Sequence, residues 1–186
     1  DVVEYANGAA DSKWGSLRAK AGHEKPFDLR LVEIGNENQG REFEERYRFV
    51  HDAMKAKYPD LTYLADLSWT SRDSMRNAQF DIEDQHYYNS PRWFATRFHE
   101  YDERDRKLPP LYLVEVAVTT GEAGPTRGNL LAALSEGIFL MGCERNGDVV
   151  KMVSYAPLLG HVDGRTELTG APPPWHAMIY FDGTRV

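Results

Sequence analysis

Two kinds of hydrophobic pattern alternate along the chain. Short apolar or β-branched runs, LRLVEIGN (29–36), DLTYLADLS (60–68), FDIEDQHYY (80–88), PLYLVEVAVTT (110–120) and DVVKMVSYAPL (148–158), have the length and composition of buried strands. Helical patterns separate them. In 41–58, Phe43, Tyr47, Val50 and Met54 recur at intervals of four, three and four, which makes one apolar stripe of an amphipathic helix. A short helical stretch is expected around 70–78. Ser90 followed by Pro91 has the N-cap and first-position signature of a helix. The apolar face of that helix is expected to continue through Trp93, Phe94, Phe98 and Tyr101. Residues 128–147 are almost entirely apolar and predict a deeply packed helix.

Strand and helix alternating at intervals of roughly 20–40 residues predict repeated βα units and a parallel sheet. Two architectures satisfy that pattern: an open doubly wound sheet, or part of an eight-stranded α/β barrel. No glycine-rich phosphate loop follows the first strand, which disfavours nucleotide binding. A complete barrel typically needs about 250 residues. The 186 residues present are too few, so an incomplete barrel is expected. The proline cluster GAPPPWH (170–176) reads as a rigid surface loop. The chain starts at Asp1 and ends at Val186 just after the strand-like MIYFDGTRV, as though taken from something longer.

Composition narrows the function classes. With 41% hydrophobic and 27% charged residues the chain is of globular type, and 12% aromatics is rich in rings. A net charge of −7 argues against nucleic acid as a partner. No apolar run reaches the roughly 18–20 residues of a membrane span. The single Cys143 leaves no internal disulfide and no cysteine-rich zinc site. HExxH and EF-hand spacings are absent, so neither a metal nor a cofactor is expected. Secreted, periplasmic and cytoplasmic locations are not distinguishable.

In either parallel architecture the chemistry belongs at the carboxyl ends of the strands. Those ends carry Asn36-Glu37, then Gln85-His86-Tyr87-Tyr88, then Glu115 inside an apolar run, then Ser154-Tyr155. A carboxylate in so apolar a strand is costly unless it is paired or functional. Two carboxylates on separate strands are what glycoside hydrolysis requires, one as acid and one as nucleophile or base. Simpler roles stand beside this. Asn36 or Asn38 fits an N-cap for the 41–58 helix, with Glu37 near its dipole. Glu115 fits an ion pair with a core arginine, and His86 fits a structural histidine. Glu33 lies within its strand, where a hydrogen-bonding role is expected. Among Trp14, Trp69, Trp93 and Trp175, the loop-like surroundings of Trp69 and Trp175 suit a sugar platform.

Several stretches together resemble the α-L-arabinofuranosidases of glycoside hydrolase family 51. They are EYANGAADSKWGSLRAKAGHEKPFDLRLVEIGNEN (4–38), AMKAKYPDL (53–61), HYYNSPRWF (86–94), GNLLAALSEGIFLMGCERNGDVVKMVSYAPL (128–158) and IYFDGTRV (179–186). The resemblance implies a (β/α)₈ TIM-type barrel of which about the fourth to eighth βα units are present. The early strands and the accessory β-sandwich are expected to be absent, leaving 1–186 as a single catalytic-domain segment. It implies retaining hydrolysis that releases terminal α-L-arabinofuranosyl groups from arabinose-containing polysaccharides and oligosaccharides. Glu37 would be the general acid/base, Asn36 would hold the sugar 2-hydroxyl, and Glu115 would be the nucleophile. His86, Tyr87 and Tyr88 match the family's sixth-strand region, one tyrosine of which would hydrogen-bond the nucleophile. The family commonly has Gly-Glu-Tyr around the nucleophile, where this chain has Val114-Glu115-Val116. Another retaining glycosidase of the same clan, or a sugar-binding barrel fragment without turnover, are the alternatives. The implied partner is an arabinofuranosyl-containing carbohydrate, and homo-oligomerisation is left open for a longer parent.

Overall fold

The five strand patterns become five parallel strands: β1 (Leu31–Ile34), β2 (Thr62–Asp66), β3 (Ile82–Asn89), β4 (Leu111–Val118) and β5 (Val150–Tyr155). The structure is a computed structural model and describes residues 1–119, 128–161 and 177–182. Helices α1 (Val2–Asn7) and α2 (Gly15–Lys20) precede the sheet. Helix α3 (Arg41–Lys57) joins β1 to β2, α4 (Pro91–Ala95) lies between β3 and β4, and α5 (Leu130–Arg145) between β4 and β5. Strands β6 (Leu159–His161) and β7 (Ile179–Phe181) form a separate parallel pair.

Strand order in the sheet is β1-β2-β3-β4-β5, the order of the chain. A doubly wound sheet reverses its strand order at a switch point, whereas successive units of a barrel wall do not. The topology is therefore that of part of a (β/α)₈ barrel. The proline cluster and Trp175 lie outside the described residues.

Three helical expectations change. The 70–78 stretch is only a 3₁₀ turn over Arg72–Met75, capped by the Ser71 hydroxyl, which accepts from Ser74 N–H. Helix α4 begins as expected, with Ser90 accepting from Trp93 N–H and Pro91 at the first position. It then stops at Ala95, because the Thr96 hydroxyl donates to the carbonyls of Arg92 and Trp93 and closes the turn. Tyr101 still reaches the core from the turns beyond. Helix α5 is not deeply packed all round: Ala132, Ser135, Phe139, Gly142 and Cys143 are buried, while Leu130, Leu131, Leu134 and Met141 are exposed. A helix against a sheet buries one stripe, and among the described residues nothing covers the rest.

Two apolar clusters occupy the helix side of the sheet. Phe43 and Tyr47 of α3 pack on Ile34, Tyr63, Ala65 and Leu67. Phe94, Tyr101, Phe139 and Cys143 pack on Leu111, Leu113, Val116 and Val118. That second set steps by two from Leu111 to Leu113, then by three to Val116. The extra residue is a bulge in β4, where the pairing with β3 passes from Asp84 opposite Tyr112 to His86 opposite Glu115. Strict alternation from Leu111 would turn Glu115 into the apolar cluster. The bulge turns it to the opposite, polar face.

Candidate active site

The polar face of the sheet collects Glu33 from β1, Asp66 from β2, Asp84, His86 and Tyr88 from β3, and Glu115 from β4. The β3 members share a face because they stand two apart. Glu83, Gln85 and Tyr87 point the other way. Glu83 pairs there with Arg72 and Arg104. The Tyr87 hydroxyl donates to Gln85 Oε1, and its ring packs at 5.0 Å on Trp93. Strand alternation thus removes Tyr87 from the candidate site and keeps Tyr88 in it.

Glu37 stands just past β1, in a turn rather than in the strand. Gly35 leaves the strand at φ 95°, and a Cβ there would come within 2.6 Å of Phe43 Cε2. Glu37 itself has φ 51°, a left-handed conformation uncommon for a residue with a side chain. The buried carboxylate of Asp66 holds it, since Oδ2 accepts the Glu37 N–H while Oδ1 accepts Ser68 N–H at 2.7 Å. Helix α3 takes Gly40 as its N-cap with no side-chain cap bond, so neither Asn36 nor Asn38 caps it. Asn38 Oδ1 instead accepts Asn36 N–H at 3.0 Å within the turn, and Asn36 lies exposed beside Glu37.

His86 links the two glutamates. Its Nδ1 is 3.1 Å from Glu37 Oε1 and 3.7 Å from Glu115 Oε2, and its Nε2 is 2.8 Å from Asp84 Oδ2. Burial alone would lower the affinity of the ring for a proton. The hydrogen bonds to Asp84 and Glu37, with the charges of Asp84 and Glu115, outweigh burial and push its pKa up to about 9. The imidazolium form donates to Asp84 and Glu37 together. Glu115 Oε2 also accepts the Tyr88 hydroxyl at 2.5 Å. Burial, then this bond and the Glu115 charge, raise the Tyr88 pKa, so the phenol stays a donor. Tyr88 and His86 fill the place that a core arginine would take beside Glu115. One oxygen of Glu37, one oxygen of Glu115 and a His86 nitrogen all lie within 4.8 Å of one another.

Beneath this triad Glu33 has one carboxylate oxygen buried without a hydrogen-bond partner. Burial, then a hydrogen bond with Asp84 and the charges of Asp84 and Asp66, push its pKa up to about 8. Glu33 therefore carries a proton at neutral pH, in keeping with a supporting role. Two groups have donor atoms close enough to hold a cation: Glu33, Asp66, Asp84 and His86, and Glu37, His86 and Glu115. Hydrogen bonds and charge contacts through His86 link members of both groups. Trp69 is 58% exposed on the loop leaving β2. It stands at the same end of the sheet as Glu37, but no hydrogen bond or ring contact joins it to the glutamates among the described residues.

Asp66 and Asp84 were not singled out in the sequence. The signal for Asp84 was present, because Asp84, His86 and Tyr88 alternate polar residues on one strand face. Asp66 ends an apolar strand, as Glu37 nearly does, but nothing local marks which backbone it holds.

Comparison with known proteins places this geometry. Residues 1–106 match the α-L-arabinofuranosidase 1 domain, and residues 112–186 match the α-L-arabinofuranosidase C-terminal domain. An extracellular exo-α-L-arabinofuranosidase of Streptomyces chartreusis is 43% identical over 88% of this chain and 20% of its own length. α-L-Arabinofuranosidase 1 of Arabidopsis thaliana is 38% identical over 94% of this chain and 27% of its own. The chain thus spans about a fifth to a quarter of the curated relatives it matches. Among solved structures, the arabinose-bound α-L-arabinofuranosidase MgGH51 superposes with a TM-score of 0.80 at 28% identity, over 97% of this chain and 29% of that one. The Thermotoga maritima α-L-arabinofuranosidase, at 18% identity and a TM-score of 0.65 over 85% of this chain and 40% of that one, shares the fold.

Proposed function

The chain belongs to the α-L-arabinofuranosidases of glycoside hydrolase family 51, and on that premise we propose that the protein releases terminal α-L-arabinofuranosyl groups from arabinose-containing polysaccharides and oligosaccharides. The observation that carries this is the approach of the Glu37 and Glu115 carboxylates to within 4.8 Å at the carboxyl ends of two strands. Retaining glycosidases hold their carboxyl groups about 5–5.5 Å apart, while inverting ones leave about 6.5–9.5 Å for a water. One oxygen from each carboxylate within 4.8 Å of the other favours the closer spacing, and so double displacement.

In the first step Glu115 attacks the anomeric carbon. Its Oε2 carries the contacts to Tyr88 and His86, so Oε1 is the attacking oxygen. The bond to the aglycone oxygen breaks as Glu37 gives that oxygen its proton. In the second step Glu37 takes a proton from water, whose oxygen displaces Glu115 and frees arabinose with retained configuration. Asn36, exposed beside Glu37, is placed to meet a sugar hydroxyl, and Trp69 is open to stack on a longer substrate. We read residues 1–186 as one catalytic segment, because β3 and β4 pair in one sheet although they fall in separate matched ranges.

The test uses the full-length protein and an aryl α-L-arabinofuranoside. Glu115→Gly should lose turnover and be rescued by azide with formation of the β-configured glycosyl azide. Glu37→Gly should give the α-configured azide, because the nucleophile remains. Normal turnover by Glu115→Gly, or the two products exchanged, refutes the assignment.

A further inference from the structure

We propose that Asp84 is a positioning residue that sets the aim of both glutamates at once, an inference that rests on the retaining reading above. Asp84 is fully buried, and its two oxygens serve different ends of the site. Oδ2 holds His86 Nε2 at 2.8 Å, and the other ring nitrogen of His86 reaches Glu37 Oε1 at 3.1 Å. Oδ1 accepts the N–H of Val114 at 3.0 Å. Val114 lies inside the β4 bulge, between the registered pairs Tyr112–Asp84 and Glu115–His86. A bulge residue loses its ladder partner, and a buried N–H left alone is costly. The Asp84 side chain supplies the acceptor that the neighbouring strand cannot. One carboxylate thus stabilises the bulge that turns Glu115 toward the sugar, and orients the imidazole that touches Glu37.

Asp84 does not act in isolation. Glu33 from β1 hydrogen-bonds it, Asp66 from β2 lies in the same cluster, and His86 bridges it to Glu37 and Glu115. A protonated Glu33 and an imidazolium His86 flank one aspartate, so a hydrogen-bonded string runs from β1 through β3 to Glu37, with Glu115 Oε2 3.7 Å from the same ring nitrogen. A neutral amide at position 84 still offers an oxygen to Val114, but presents N–H rather than oxygen to His86 Nε2. The ring then has to accept at Nε2 and keep its proton on Nδ1, which removes the positive charge and leaves the bulge intact.

The experiment compares Asp84→Asn and Asp84→Ala in the full-length protein on an aryl α-L-arabinofuranoside across pH. For Asp84→Asn, kcat should fall about 10- to 100-fold with KM changed by less than about threefold, the loss of one hydrogen bond to a charged group. The His86 charge is complete below the ordinary histidine range and is lost as pH rises through about 9. In Asp84→Asn that loss moves toward the ordinary value, so the His86 titration, read by ring-labelled histidine NMR, should move acid-ward by about one unit or more. Asp84→Ala loses both contacts and should be slower still. A folded Asp84→Asn protein with kcat within about threefold of wild type and an unmoved His86 titration overturns the proposal. If the variants do not fold, ring-labelled histidine NMR of the wild type decides. The His86 signal, assigned by its loss in His86→Gln, should stay protonated past pH 8, and titration near 6.5 overturns the proposal. Failure of the hydrolase reading looks different: the wild type itself is inactive on the arabinofuranoside, whatever His86 does.

Discussion

Replacing Tyr88 by Phe removes one hydroxyl and leaves the ring where it is. The bond lost is the 2.5 Å donation to Glu115 Oε2. Hydrogen bonds to charged groups contribute about 1.5–3 kcal/mol, which converts to roughly 10- to 150-fold in a rate if the whole bond is felt in one step. Charge bookkeeping on Glu115 decides which step feels it. During attack the carboxylate spends its negative charge, so the phenol stabilises the free enzyme more than the transition state. During hydrolysis of the covalent intermediate the carboxylate leaves and regains that charge, so the phenol stabilises the transition state more. Tyr88→Phe should therefore slow the second step. With an aryl arabinofuranoside carrying a good leaving group, kcat should fall about 10- to 100-fold, and KM should fall with it as the glycosyl-enzyme accumulates. Stopped-flow release of the aryl alcohol should show a burst matching the enzyme concentration, and intact mass should show the added arabinosyl group. A kcat within twofold of wild type, or a loss confined to kcat/KM without a burst, refutes this reasoning.

Two glycines of α5 should respond to alanine with opposite signs. A Cβ at Gly137 meets nothing within 4 Å, so Gly137→Ala should stabilise by about 0.5–1 kcal/mol through helix propensity. At Gly142 a Cβ would lie 2.2 Å from the Phe98 carbonyl oxygen, so Gly142→Ala should destabilise by about 1–3 kcal/mol. Denaturant midpoints measure both, and equal signs refute the packing of α5 on the 98–101 turns. Glu33→Gln tests the buried proton. The folded carboxyl holds its proton to about 8, while the unfolded chain releases it near 4.5, so the native state binds more protons between those values and stability falls as pH rises through them. Glu33→Gln should flatten the melting temperature from pH 5 to 6.5, and the smaller decline owed to His86 should remain above that. An unchanged slope in the variant removes Glu33 as the cause.

Much of the fold was legible because periodicity survives folding. The 41–58 stripe became the buried Phe43 and Tyr47 of α3, and Ser90-Pro91 started α4 where capping chemistry places it. The expectation for α5 has its own cause: a hydrophobic pattern records what a chain is able to bury, not what lies against it. Leu130, Leu134 and Met141 of α5 are as apolar as Phe139, yet only Phe139 faces the sheet. Tyr87 and Tyr88 were inseparable as neighbours in a motif, and the pleat separated them.

The two glutamates were harder to place by pattern, and for a common reason. Both are presented by irregular backbone. Glu37 sits in a left-handed turn, and Glu115 follows a bulge that reverses the face expected from Leu111 and Leu113. Regular periodicity carries no information about either, and for Glu115 it gives the wrong face. Each irregularity is held by a buried aspartate on an adjacent strand, Asp66 accepting the Glu37 N–H and Asp84 accepting the N–H of Val114. Strained or unladdered backbone persists only where its surroundings over-determine it. The pairing of each departure with its own aspartate therefore ties the acidic cluster below the site to the aim of the glutamates above it. On this argument the Val114-Glu115-Val116 setting leaves the proposed nucleophile aimed, because the proposed anchor is the Val114 backbone N–H rather than the side chains beside Glu115.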